Sequence, residues 1–514
     1  MIGDYLRLIR AGYALAREGA FSLAEGQPLP PSTATLIRFA RLIERPSVRR
    51  TGRADRLAKA LTRLGPTYVK FGQLLATRRD IFGSAITADL AQLQDAMPPF
   101  DPALVPGLLA EALGPAAAQL EEISEPVAAA SIAQVHKALV RTPEGGRKTV
   151  AVKILRPGIE ERFARDLKAL AAAARALEVL MPASKRLRGQ QVVETLARSA
   201  ALEMDLRLEA AAISEIAENT SDDQGFAVPH VHWPLSARTV LVTDWIEAIP
   251  VRETERLAAA GIDRPELAKT LIRSFLRQAI RDGFFHADMH PGNLFADPKT
   301  GGVVAVDFGI TGRISKRERR FLAEVLHGFL TQDYKRIARI HIEIGYVPAH
   351  QSVDDFAQAL RAIGEPLVGR AADEISMAKV LAQLFDTTEL FDMAARPELV
   401  LLQKNMVLVE GTARLIDPQF NMWEAAEPVI GDWVRRNVGP FGQIERIEEV
   451  VTDARQLAAR IPPLVARGER VLALIEAGQL RVTRRDRLGA ALKWVLLAAS
   501  LLSVLALLRY LFAG

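Results

Sequence analysis

The chain has 514 residues, 49% of them apolar and 25% charged, a globular balance too long for one ordinary core. Its 66 Lys and Arg against 61 Asp and Glu leave a net charge of +5, a weak pointer to nucleic acid, and the basic residues cluster beside an apolar tail instead. The absence of cysteine excludes disulfides, thiolate metal sites and cysteine nucleophiles.

At the N-terminus, Met1 to Phe21 carries Asp4, Arg7, Arg10 and Arg17 and lacks the apolar stretch and cleavage site of a secretory signal. Tyr5, Leu6, Ile9, Tyr13 and Ala16 fall at helical spacing, which predicts a helix with one apolar face. That face suits packing against the protein or lying on a membrane surface. Gly26 to Ser32 reads as a loop. Ala34 to about Gln119 is helical in pattern, interrupted at Pro98-Pro99-Phe100-Asp101-Pro102.

From Ile123 the period changes. Val150 to Leu155 reads as a strand after a hairpin turn at Pro143-Glu144-Gly145-Gly146. Ile159 to Met181 and Gln190 to Asn219 read as helices, as does Glu266 to Asp282. Strand patterns return at Thr239 to Thr243 and Gly302 to Val306, and beyond Thr311 the chain is almost wholly helical. A few strands followed by helices gives a two-lobed α+β fold.

The tail has its own signature. Trp494 to Leu508 holds fifteen residues without a charge, and including Arg509 to Phe512 lengthens the segment to nineteen, against the ~20 that cross a bilayer. Trp494, Tyr510 and Phe512 stand at its ends, and Arg481, Arg484, Arg485, Arg487 and Lys493 precede it. The expectation is a single C-terminal transmembrane helix in the inner (cytoplasmic) membrane, with the rest of the chain cytoplasmic by the positive-inside rule.

Four features carry chemistry, in one order. The first is Ala128-Ala129-Ala130-Ser131-Ile132-Ala133-Gln134-Val135, small residues between two strand-like stretches. The second is Lys153 in Val-Ala-Val-Lys, and the third is His286-Ala287-Asp288-Met289-His290-Pro291-Gly292-Asn293. The last is Asp307-Phe308-Gly309, directly after a strand. Each alone has an ordinary reading as helix, solvated strand, core histidine or turn. Together they are what phosphoryl transfer needs: a loop over the phosphates, a lysine on a rigid strand, and oxygen ligands for Mg²⁺. Asn293 lies five residues beyond Asp288, so one turn presents both a base and a metal ligand.

With Lys70-Phe71-Gly72-Gln73, Leu93-Gln94-Asp95, Pro98-Pro99, Glu203-Met204-Asp205, Glu410-Gly411 and Asp417-Pro418, these features resemble the UbiB family of atypical kinases over about Leu36 to Asn421. The resemblance implies a protein-kinase-like fold with a helical N-terminal KxGQ extension, and an Ala-rich loop in place of a Gly-rich one. Alanine restricts the positive φ and close phosphate approach that glycine permits, so the loop is expected to hold nucleotide differently. His-Ala-Asp lacks the arginine that receives an activation-loop phosphate. The family's extension lies over the cleft where a kinase would take a protein substrate. The activity this resemblance implies is that of an ATPase-like or small-molecule-directed phosphotransferase supporting ubiquinone biosynthesis, with ATP or ADP and Mg²⁺ as cofactors. Its expected partners are membrane lipid, polyprenylated quinone precursors and other proteins of that biosynthesis, and not nucleic acid.

Residue roles carry over position by position. Lys153 contacts the α and β phosphates and pairs with an acid of the 190–219 helix, Glu209 or Glu203. Read as one helix, these acids are six residues apart and cannot share a face. Glu209 is favoured for Lys153, and Glu203 with Asp205 is grouped with Lys70 and Gln73. Asp288 is the catalytic base, Asn293 and Asp307 bind Mg²⁺, and Asp244 to Ile246 form the adenine-side hinge through backbone groups. Relatives often carry two spans at the C-terminus, whereas this chain has room for one. The divisions expected are 1–33, a helix and loop; 34–122, the KxGQ extension; 123–247 and 248–425, the two lobes; 426–487, helical; and 488–514, the anchor. Competing readings are a nucleotide-binding pseudokinase scaffold, opposed by the intact Lys153, Asp288, Asn293 and Asp307 set, and an authentic protein kinase, opposed by the KxGQ segment.

Overall fold

The structure is a computed structural model. It describes residues 2–20, 42–45, 56–76, 97–142, 145–180, 188–365, 390–393 and 397–437, with isolated residues at 87, 89–90, 93, 185 and 383. The chain divides into two units, Met1–Trp433 and Val434–Gly514, and both lobes lie in the first.

Helix α1 (Ile2–Arg17) packs with α2 (Arg56–Leu64) and α3 (Pro66–Ala76) around Ala11, Ala58, Leu61, Leu64, Tyr68, Leu90 and Leu93. The face that α1 buries only partly matches the one its spacing predicts: Ala16 is buried as expected, but Ile9 and Tyr13 are exposed, and Ala11 is buried instead. Small side chains let the helix come close, which the larger residues would prevent. Gly72 does the same for α3, since a Cβ there would stand 2.3 Å from Leu93 Cδ1.

Helix α4 (Val105–Leu113) leads into a five-stranded antiparallel sheet of β1 (Leu120–Glu121), β2 (Pro126–Ala129), β3 (Ala133–Arg141), β4 (Arg147–Leu155) and β6 (Val240–Asp244). Strands β3 and β4 pair from Ala133↔Leu155 to Arg141↔Arg147, and β4 pairs β6 from Val150↔Asp244 to Ile154↔Val240. The alternation sorts the two faces. Val150, Val152, Ile154, Val240 and Val242 bury against Val105 and Leu109 of α4, while Lys153 points to the other side.

Helices α5 (Ile159–Leu180), α6 (Gly189–Glu203) and α7 (Leu206–Asn219) fall between β4 and β6. The predicted single helix over 190–219 is thus two helices. Asp205 breaks it by adopting extended backbone and accepting a hydrogen bond from Arg207 N–H, as an N-cap does.

The second lobe contains β5 (Phe226–Ala227), β7 (Ile249–Pro250), α8 (Thr254–Ala259), α9 (Arg264–Leu276), β8 (Phe284–His286), β9 (Leu294–Ala296), β10 (Val303–Ala305) and β11 (Thr311–Arg313). Strands β5-β10-β9-β7 form one sheet and β8-β11 a two-stranded ribbon. A π-helical turn, Arg277–Asp282, carries α9 into β8. Then come α10 (Lys316–Thr331), α11 (Tyr334–Ile344), α12 (Val353–Gly364), α13 (Pro397–Ile416) and α14 (Met422–Asn437). Helix α10 begins at Lys316, where Ser315 and Glu318 form a capping box.

One expectation is corrected. Among the described residues no helix is long and apolar enough to cross a membrane. On that finding neither the C-terminal transmembrane helix nor the single-span inner-membrane location that rested on it is retained. The longest described helices fail for a plain reason: α5 opens on Glu160, Glu161, Arg162, Arg165 and Asp166, and α13 carries Lys404, Glu410 and Arg414. The segment from Trp494 to Phe512 and the basic residues Arg481 to Lys493 lie outside the described residues, as do Gly26 to Ser32, Pro143, Glu144, Gln94 and Asp95.

Candidate active site

Lys153 sits mid-strand on β4 and donates to both oxygens of Glu209, each at 2.8 Å. It donates also to Asp307 Oδ1 at 2.8 Å. Strand, helix α7 and the turn after β10 therefore meet at one ammonium. Burial works to strip Lys153 of its proton, but the two carboxylates, Asp307 ahead of Glu209, override it and hold the lysine charged. The Lys153 charge keeps Asp307 well below the ordinary carboxylate range. For Glu209, burial pushes proton affinity up, against the pull of Lys153. Asp307 has φ of 59°, an αL conformation that aspartate tolerates better than most residues.

Of the two acids considered for Lys153, Glu209 is the one beside it. Glu203 ends α6 and pairs instead with Lys70 of α3 at 2.7 Å. Gln73 lies one turn beyond Lys70 on the same helix. Asp205 departs from the grouping with Lys70 and Gln73: its carboxylate is committed to Arg207, at 2.7 Å, and to the α7 cap. Lys70 is near enough to add its charge to the field that holds Asp307 ionised, so the extension reaches the site.

The Ala-rich segment is the β2–β3 turn. Ala128 and Ala129 end β2, Ala130-Ser131-Ile132 turn, and Ala133, Gln134 and Val135 begin β3. Ala130 N–H bonds Ala133 O at 2.8 Å. No residue of the turn has positive φ, so alanine costs nothing there. Arg156 grips Ala130 O through Nε at 3.0 Å and Nη2 at 2.8 Å, and its N–H bonds Ile132 O. From the extension, Met97 N–H bonds Ala129 O and Phe100 N–H bonds the buried Gln134 Oε1. The Pro98-Pro99 stretch is thereby stitched to the turn.

The segment 286–293 forms the facing loop. His286 is buried; its Nδ1 accepts from Asp288 N–H and its Nε2 donates to Val306 O, so the ring is neutral with the proton on Nε2. Burial lowers its pKa, in agreement. The ring packs tilted against Phe308, with centroids 4.6 Å apart. Asn293 Nδ2 donates to Asp288 O, locking the turn that carries both side chains. Asp288 itself is partly exposed, 3.7 Å from His290.

Asp244 is not in this cluster. It pairs with Val150, so its side chain lies on the sheet face away from Lys153, bonded to Lys148 and His232. Ile246 follows in the partly buried link to β7.

Sequence reading missed three residues. Asn405 of α13 is fully buried; its Nδ2 donates to His286 O at 2.6 Å and its Oδ1 accepts from Met289 N–H at 3.1 Å. Thr412 Oγ1 reaches Met289 O. The signal was present: Asn405 falls on the apolar face with Leu402, Met406 and Val409, and a buried amide needs partners. Arg156 had no comparable signal, because its partner is a backbone carbonyl.

These elements define a two-lobed domain of the protein-kinase type, atypical in its alanine turn and its N-terminal extension. Residues 92–341 match the ABC1 atypical kinase-like domain, and 360–421 match the UbiB helical domain. The chain is 37% identical over 456 residues, 85% of its length and 83% of the relative's, to a probable protein kinase UbiB of Marinobacter nauticus. It is also similar in structure to Rv3197 from Mycobacterium tuberculosis, solved in complex with erythromycin, with a TM-score of 0.50 and 26% identity over 78% of this chain and 97% of that one. The chain belongs to the UbiB family of atypical kinase-like proteins.

Proposed function

We propose that the protein is an atypical kinase-like ATPase or phosphotransferase that binds Mg²⁺ with ATP or ADP and supports ubiquinone biosynthesis. The observation that carries this reading is the ammonium of Lys153 held between Glu209 and Asp307 across three elements. A solvated lysine needs no such framing, whereas a phosphate-binding lysine needs a fixed position and a permanent charge.

Asp307 and Asn293 would hold the metal. Both offer hard oxygen donors, the kind Mg²⁺ selects, and the cationic Lys153 already rests on Asp307. The ion, when bound, supplies charge neutralisation at the phosphates. The chain's own part is positional. Arg156 and Met97 fix the turn from Ala128 to Val135, Lys153 presents its charge, and Asn293 braces the backbone of Asp288. Asp288 would accept a proton from a nucleophile. Proposed partners are polyprenylated quinone precursors, membrane lipid and the proteins that process those precursors.

Thermal unfolding tests the site. Mg²⁺-ADP at a hundredfold over its Kd stabilises a folded site by about 2.7 kcal/mol, so wild type shifts upward and Asp307→Asn does not. Equal shifts in both proteins refute the assignment. Quinone lipidomics of a deletion strain complemented with wild type or Asp307→Asn tests the biosynthetic role.

A further inference from the structure

Behind the nucleotide cleft, at the edge of the first sheet, the chain builds a second constellation. Val231 forms an antiparallel bridge with Thr243, Asp244 N–H bonds His230 O at 2.9 Å, and His232 N–H bonds Val242 O at 2.8 Å. The 230–232 segment is therefore a short extra strand beside β6. Alternation along such a pair sends Val231 and Thr243 to one face and His230, His232 and Asp244 to the other. His-x-His on one strand and an aspartate across from it give three ligand atoms that all lie within 4.8 Å of one another.

We propose that His230, His232 and Asp244 form a divalent transition-metal site, suited to Zn²⁺, Ni²⁺ or Co²⁺. Two imidazoles and one carboxylate are donors that such ions prefer over Mg²⁺ or Ca²⁺. Tetrahedral donors at the usual bond lengths stand about 3.3 Å apart. His232 Nε2 and Asp244 Oδ1 are already 2.8 Å apart. The wider gap closes by rotation of His230, whose side chain is exposed. Solvent reaches the site on that side, which gives an ion its entry and leaves the fourth position to water.

Without an ion, Lys148 of β4 serves as the cation: its ammonium lies 2.8 Å from Asp244, while its own side chain is half exposed. A metal ion displaces it to solvent. This site shares no side chain with the Lys153 cluster, since Asp244 and Lys153 project from opposite faces of the sheet. It therefore stands or falls independently of nucleotide binding. An ion here ties the 230–232 strand to β6 immediately before the link at Trp245 and Ile246 that leads to the second lobe.

The test is calorimetric titration of untagged full-length protein, stripped with chelator and free of nucleotide, with ZnCl₂ and separately NiCl₂. Wild type takes up one equivalent that is weakened at least tenfold in His230→Ala and in His232→Ala. The His230 variant removes an exposed ring, so its melting temperature without metal stays that of wild type and certifies the fold. Lys148→Met removes the competing cation and tightens binding at least threefold. Uptake that persists unchanged in both histidine variants, no uptake by wild type, or indifference to Lys148→Met overturns the proposal.

Discussion

Replacing Asn405 by leucine tests whether the helical domain holds the 286–293 loop. Leucine has the same skeleton as asparagine, branched at Cγ, so no cavity is left, but both amide hydrogen bonds vanish. His286 O loses a donor at 2.6 Å and Met289 N–H loses an acceptor at 3.1 Å. Asn405, His286 and Met289 are all fully buried, so no water replaces the lost partners. Each orphaned group costs about 1–3 kcal/mol. Allowing for the better burial of leucine, Asn405→Leu should destabilise the ligand-free protein by about 3 kcal/mol. Asn405→Asp keeps the acceptor for Met289 and should lose roughly half as much at the donor, apart from the cost of a buried charge. Urea denaturation measures the loss, and amide exchange at Met289 reports where it falls. A loss below about 0.5 kcal/mol, or unchanged protection at Met289, refutes the clamp.

The same geometry supports three other expectations. His341 packs buried between Phe321 and Phe356, and burial pushes its pKa from 6.5 down to about 4. A lowered folded-state pKa gives stability that is complete above about 6.5 and lost as pH falls toward 4. Between pH 7.5 and 5, wild type should lose about 2 kcal/mol relative to His341→Phe in paired urea melts, and parallel pH curves would refute it. Gly312→Ala sets a Cβ 2.2 Å from the buried ring of Phe285 and should cost about 1–3 kcal/mol, read as a lower melting temperature. Ala130→Gly frees a turn that needs no positive φ, so it should lose about 0.4–1 kcal/mol and alter the preference between ADP and ATP. Identical affinities for both nucleotides in wild type and variant would sink the loop argument.

Sequence order alone determined the class of this protein. A lysine on a strand, an Asp and Asn five residues apart, and an Asp-Phe-Gly after a second strand are local patterns, and local patterns survive in one dimension. The strand at Val150 to Leu155 was legible because alternation is written in neighbouring residues. Helix α1 was legible as a helix but not in its orientation: Ile9 and Tyr13 face solvent, since which stripe is buried depends on what packs against it. For the partner of Lys153, sequence reading favoured Glu209 over Glu203 but had no geometry to settle the choice. Glu209 and Glu203 are equally acidic and near in the chain, and only the break at Asp205 turns them to different lysines. Asp244 shows the parity effect most plainly, because one residue of strand register decides which face a side chain occupies. Asn405 meets its loop across 119 residues, a distance over which no periodicity carries information. Such contacts exist only once the chain has folded, because burial makes a hydrogen bond obligatory and burial is a property of the tertiary structure.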